Sequence, residues 1–234
     1  MASISKYDAS LGLFSITGVT TGPISSKAMD DGSGYNPEVP SLPKLAVLVG
    51  DRSRGSNMAA LVRATHCGEL ALAPALVVAG RASSPALAHA AQLKVPGAVV
   101  QPGDDYAARL VATLEAADIE WIALAGYLRR LPEPVLHRWP QRVLNVHPAL
   151  LPRFGGNGMY GAHVHRAVLA TGERESGCTV HYVSEHYDEG RVLVQLRCPV
   201  RPADDADILA ARVLRLEHVA FALGFRLALM EHAE

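Results

Sequence analysis

Only three cysteines occur in the 234 residues, Cys67, Cys178 and Cys198. Their odd number and wide spacing exclude a disulfide framework, a zinc knuckle and a redox dithiol, and fit reduced thiols in a cytoplasm. Aromatic residues are sparse at 6%, and no dense basic tract is interleaved with them. With 22 Lys and Arg against 23 Asp and Glu, the net charge is −1, so nucleic acid is not expected as a main partner. No run of about 18 apolar residues offers a membrane span. No Ser or Cys occupies a nucleophile elbow, and no cluster of His and acidic residues has zinc-ligand spacing, so neither a covalent enzyme intermediate nor a metal is expected. The first 43 residues contain no arginine and lack a basic start followed by a long apolar core, which argues against a mitochondrial presequence and a signal peptide.

What remains is a composition of 49% hydrophobic and 19% charged residues, typical of a soluble globular protein long enough to bury a sizeable core. Residues 1–43 stand apart, since 17 of the 43 are Gly, Pro or Ser. They are expected to form an extension, flexible or draped, ahead of a single domain at 44–234. Within that domain, compact apolar runs at 44–49, 75–79, 97–100 and 120–125 read as strands. Residues 58–67, 83–94 and 106–117 read as helices between them. This alternation predicts an α/β, Rossmann-like fold, a mainly parallel twisted sheet with helices on both faces. Further on, 163–170 reads as a helix closed by Gly172. Strands at 178–183 and 192–198 flank a short polar turn and predict an antiparallel C-terminal hairpin. Residues 204–230 form a long helical pattern capped by Asp204 or Asp205, in which Glu217 and His218 are expected on the solvent face.

The stretch at 142–152, Arg-Val-Leu-Asn-Val-His-Pro-Ala-Leu-Leu-Pro, organises the chain. Val143, Leu144 and Val146 predict a buried strand, and Pro148 ends it by withholding a backbone donor. Asn145 and His147 are two residues apart, so they point the same way at the strand's end, where open α/β sheets usually hold ligands. A strand-end cap and a backbone-bonded imidazole are the plain alternative. The glycine-rich turn at 50–57 leads from a strand into a helix and can seat an anion, with Ser56 or Asn57 as N-cap. It matches neither the dinucleotide fingerprint nor the P-loop. Arg129 and Arg130, after Gly126, read either as surface charges or as a grip on an anionic or heteroaromatic ligand. Residues 153–161 carry four glycines in nine, so this loop must move or let something approach its backbone.

Asn145 and His147 together suit an oxyanion, because an amide N–H and a protonated imidazole both donate to developing negative charge. Asp188, in the hairpin turn, would raise the His147 pKa and help move a proton. Acyl-type transfer to a nucleophile carried by the substrate follows as the natural chemistry.

Asn-Val-His-Pro-Ala-Leu-Leu-Pro from Asn145, Ala-Gly-Tyr-Leu-Arg from Ala125, Gly-Ser-Asn at Gly55, Ser56 and Asn57, and Tyr-Asp-Glu-Gly from Tyr187 resemble, in order, the phosphoribosylglycinamide formyltransferase family. The resemblance runs from about Lys44 to Leu229. It implies a formyltransferase fold and transfer of formyl from the co-substrate 10-formyltetrahydrofolate to the amine of glycinamide ribonucleotide. By that resemblance Asn145, His147 and Asp188 are catalytic, and His147 is the proton donor. Gly55, Ser56 and Asn57 would hold the substrate phosphate, and Glu217 would touch the ribonucleotide's amine or ribose. Leu128, Arg129, Arg130, Leu131, Asn145, Ser184, Glu185, His186, Tyr187 and Asp188 would line the folate pocket. The implied partners are small molecules, with no metal, nucleic acid or membrane, for a monomer or homodimer. The sequence lacks the motifs and added domain usual in methionyl-tRNA formyltransferase. Formyltetrahydrofolate deformylase, or a non-catalytic folate or nucleotide binder, is the alternative. One departure from the family is the turn at 50–57, which is about two residues longer than usual and carries Asp51, Arg52 and Arg54.

Overall fold

The computed structural model describes residues 41–233, together with the antiparallel pairing of two short strands, Tyr7–Asp8 (β1) and Leu13–Phe14 (β2). Of the expected 1–43 extension, the rest of residues 1–40 lies outside the described residues. From residue 41 onward the chain forms one compact unit.

Its centre is a seven-stranded sheet in the order β5-β4-β3-β6-β7-β8-β9. The strands are Lys44–Val49 (β3), Ala73–Ala79 (β4), Gly97–Val99 (β5), Trp121–Ala125 (β6), Val143–His147 (β7), Glu175–Tyr182 (β8) and Val192–Pro199 (β9). The first five run parallel, and β8 and β9 pair antiparallel, as the sequence predicts. Five helices follow the predicted positions: Ser56–His66 (α1), Pro85–Gln92 (α2), Tyr106–Ala116 (α3), Ala162–Ala170 (α5) and Ala206–Glu231 (α6). The short helix Glu133–Arg138 (α4) has no signal in the apolar pattern, because its six residues include Pro134 and only one turn's worth of apolar contacts.

Alternation along β3 builds two cores. Leu45, Val47 and Val49 pack with the α1 and α6 layer, whereas Ala46 and Leu48 face Leu110, Leu114 and Val135 on α3 and α4. Each fully buried leucine contributes about 1.5–3 kcal/mol relative to exposure, so both faces of the sheet are held. On the first face Phe225 of α6 meets Trp121 edge-on at 6.1 Å. Gly224 lets α6 approach β8, since a Cβ there would run into Val180.

The chain leaves β3 towards β4 on one side and reaches β6 on the other, so a crevice opens at the carboxyl ends of these strands. Here the loops are tightly apposed, and a Cβ on Gly50 would strike the Gly126 carbonyl. The loops after β3, β6 and β7 converge at this end of the sheet; β8 runs the other way, and the turn that follows it folds back to bring Asp188 to His147.

Candidate active site

A cavity of about 410 Å³ lies against these loops. Its wall begins at β7, where register decides the geometry: Asn145 pairs with His181 and His147 with Thr179 across the antiparallel ladder. Directly paired residues share a face, so three polar side chains and a hydroxyl gather where β7 ends. Asn145 Nδ2 lies 3.1 Å from His181 Nε2. His181 Nδ1 donates to the Tyr182 carbonyl at 2.9 Å, so Nε2 is the nitrogen that faces both the Asn145 amide and Asp188. His147 Nε2 donates to the Phe154 carbonyl at 2.8 Å, so Nδ1 is the nitrogen turned towards Asp188, 3.4 Å from Oδ2.

Asp188 serves both imidazoles. Its Oδ1 is 3.5 Å from His181 Nε2, and its Oδ2 also accepts the Gly156 N–H at 2.9 Å. The residue adopts φ 59°, a left-handed conformation that aspartate tolerates better than most side chains. Burial works against its charge, but the His181 and His147 contacts and the Gly156 N–H outweigh it, holding the carboxyl below its ordinary range. For His147 the balance differs from the sequence expectation. Burial dominates and lowers its pKa despite the opposing pull of Asp188 and of the Phe154 carbonyl, because the ring is only 4% exposed.

The glycine-rich turn also departs from expectation in its details. Gly55, not Ser56 or Asn57, is the N-cap of α1, in the left-handed region at φ 76° and with no side-chain cap bond. Its N–H already donates to Ser53 Oγ at 3.1 Å. Ser56 and Asn57 then occupy the first helical positions, whose backbone donors have no intrahelical acceptor. The Asn57 side chain reaches across to α6, where Nδ2 donates to Glu217 Oε2 at 2.6 Å. Its Oδ1 is buried with no partner among the described residues.

The helical pattern put Glu217 on the solvent face, whereas the resemblance put it against the substrate; it is buried at 7% exposure and lines the cavity. The cause is packing of α6 against α1, which turns this position inward, and burial raises its pKa against the lowering effect of the Asn57 bond. His218 is half-buried rather than exposed, and burial lowers its pKa.

The remaining expected residues fall on two facing stretches. Leu128, Arg129, Arg130 and Leu131 line the cavity from the β6 side, and Ser184, Glu185, His186, Tyr187 and Asp188 line it from the β8–β9 turn. Gly55 and Ser56 do not line it, although Asn57 does. Arg129 is paired with Asp51 Oδ2 at 2.6 Å, whereas Arg130 is exposed and lies 3.7 Å from Glu133.

Two of the histidines that line the cavity, His181 and His165, were not singled out as site residues from sequence. The alternation of β8 carries the signal for His181, since it shares a face with Thr179. His165 is 4% exposed, its Nδ1 has no partner among the described residues, and burial, with His147 nearby, pushes its pKa down to about 4. Among the described residues no group of three or more His, Cys, Asp or Glu could hold a metal ion, and no helix is long and apolar enough to cross a membrane.

Asn145, His147, His181 and Asp188 thus share one cavity at the strand ends of a mainly parallel sheet. The Formyl transferase family matches residues 43–223, and the chain belongs to that family. It is 39% identical over 180 residues to the chloroplastic phosphoribosylglycinamide formyltransferase of Vigna unguiculata, covering 75% of this chain and 57% of that protein. It is 38% identical over 194 residues to the chloroplastic phosphoribosylglycinamide formyltransferase of Arabidopsis thaliana, covering 80% and 65%. The chain thus spans under two thirds of these two relatives. The glycinamide ribonucleotide transformylase 1 structure from Symbiobacterium toebii superposes with a TM-score of 0.75 at 31% identity, covering 83% of this chain and 92% of that one.

Proposed function

We propose that residues 44–234 transfer the formyl group of 10-formyltetrahydrofolate to the amine of glycinamide ribonucleotide, a step of purine biosynthesis. One observation carries the reading: Asn145 and His147 of β7 and Asp188 of the β8–β9 turn line one cavity together with Asn57, Arg129 and Glu217, which come from three other segments. Neutral His147 is the form that accepts a proton, and Nδ1 is its free nitrogen. The amine attacks the formyl carbon, the C–N bond forms, and the carbonyl pair moves onto oxygen. Asn145 donates to that oxygen through its second amide N–H, the first being fixed by His181. His147 Nδ1 takes the ammonium proton, and ionised Asp188 stabilises the imidazolium. The proton then passes to N10 of the folate as the C–N10 bond breaks.

The backbone N–H groups of Ser56 and Asn57, at the positive end of α1, suit the ribonucleotide phosphate, with Gly55 supplying the turn. Glu217 and the free Asn57 Oδ1 are both acceptors and suit the substrate's amine or ribose hydroxyls. Leu128, Arg129, Arg130 and Leu131, with Ser184, Glu185, His186, Tyr187 and Asp188, suit the folate. No metal is required, the partners are small molecules, and the enzyme is read as cytoplasmic and as a monomer or homodimer.

The test is the absorbance change on loss of formyl from 10-formyltetrahydrofolate, with and without glycinamide ribonucleotide. Turnover only with the ribonucleotide supports the transferase. Turnover without it replaces this reading with a deformylase, and no turnover in either case leaves a folate or nucleotide binder.

A further inference from the structure

Asp51, in the loop between β3 and α1, reaches across two strand ends. Its Oδ1 accepts the Gly80 N–H at 3.0 Å, just past β4, and its Oδ2 accepts Arg129 Nη2 at 2.6 Å, just past β6. Gly80 leaves room for this arrangement. A Cβ there would collide with Asp51 Oδ1 and would sit 2.9 and 3.1 Å from Arg129 Nη1 and Nη2. The carboxylate and the missing side chain together form a seat for the guanidinium. Burial opposes the charge on Arg129, but the Asp51 hydrogen bond and its negative charge prevail, and the guanidinium is held above its ordinary pKa.

Arg129 is also the side chain common to two spaces, the main cavity and an adjoining open crevice lined by Asp51, Gly80, Arg81 and Gln101. Its Nε and Nη1 have no hydrogen-bond partner among the described residues, so one edge of the fork is tied and the other is open. An untethered arginine loses considerable side-chain freedom when it grips a ligand, and a pre-seated one has already lost it. The tether starts from the same loop that ends at Gly55, Ser56 and Asn57, so it joins the two substrate segments mechanically.

We propose that Asp51 and Gly80 are positioning residues for Arg129, presenting the open edge of its guanidinium to a carbonyl or carboxylate oxygen of the folate substrate. This rests on the formyl-folate reading of the cavity. Asp51 touches no reacting atom and acts only through Arg129.

The test combines steady-state kinetics with equilibrium titration of 5-formyltetrahydrofolate, a non-transferring isomer, into wild type, D51A, D51N, R129A and D51A/R129A. In D51A the folate Kd and KM should rise about tenfold, the scale of one charge-assisted hydrogen bond lost from a preorganised donor. The ribonucleotide KM should hold, and kcat at saturating folate should stay within about twofold. D51A should add nothing once Arg129 is gone. D51N keeps the Gly80 bond and the shape, so it should fold even where D51A does not, and it should fall between wild type and D51A. Unchanged folate affinity in D51A or D51N, equal shifts in both KM values, or additivity with R129A overturns the proposal. A wild type that binds no folate overturns it together with the reading beneath it, whereas a wild type that binds folate but transfers nothing overturns only the transfer reading.

Discussion

The cavity has two unlike walls. Along β7 and β8, His147 and His181 are 4% and 2% exposed, and both nitrogens of each ring face a polar partner. Past the end of β6, Arg129 lines the cavity with Asp51 behind it in the adjoining crevice, and the two keep 34% and 19% of their side chains open to solvent. The first wall is dry enough for burial to lower the His147 pKa, which suits a group that must exchange a proton. The second is wet enough to keep its charges, which suits a grip on ligand. Electrostatic interactions strengthen as water is excluded, so the same kind of substitution should have different consequences on the two walls.

The largest effect is expected on the dry wall. H147A should lower kcat by at least about a hundredfold while Tm stays near wild type, because it removes the proton carrier from a site whose neighbours remain bonded to one another. Turnover near wild type would dissolve the contrast between the walls. D188N keeps the shape and should cost roughly thirty- to a hundredfold in kcat. It also removes the charge that opposes burial at His147, so the acid limb of kcat/KM, already expected below pH 6.5 from the lowered His147 pKa, should move further down. An acid limb that rises in D188N would mean that another group titrates.

Stability should follow the dry wall as well. His165 has a folded pKa of about 4, below its unfolded value, so the folded state resists protonation. Its contribution is complete above about pH 6.5 and is lost as pH falls towards 4, on the order of 2 kcal/mol. Denaturant titrations across this window should show the slope, and H165F should flatten it.

Glu217 has the opposite sign. Its raised pKa means that its best contribution comes below the unfolded value and is lost as pH rises through the folded one. E217Q can keep the Asn57 bond without the buried charge, so at pH 8 it should gain about 1 kcal/mol of stability while the ribonucleotide KM rises. A loss of stability in E217Q would show that the charge itself holds α1 to α6. The wet wall should respond more gently, through folate affinity in D51A, with kcat nearly untouched.

Much of this could be read in the chain before any coordinates. The apolar runs at β3, β6 and β7 have the period and length of buried strands, and Pro148 marks where β7 must stop. Asn145 and His147 had to share a face because strand side chains alternate. Even the antiparallel turn of β8 and β9 follows from two strands joined by a short polar link. Less legible were the features with no local signature. The helix α4 is too short to show a period, and the first residues of β8, Glu175, Ser176 and Gly177, carry no apolar alternation and are held by pairing with β9.

Residue identity and spacing therefore determined the sheet, its strand ends and the side chains available for chemistry, because these depend on contacts within a few residues. Only the tertiary structure decided which way Glu217 faces, that burial outweighs Asp188 at His147, and that Asp51 reaches Arg129 across 78 positions of chain. Those outcomes depend on the dielectric surroundings and on loops brought together from distant segments, quantities that no local pattern of residues contains.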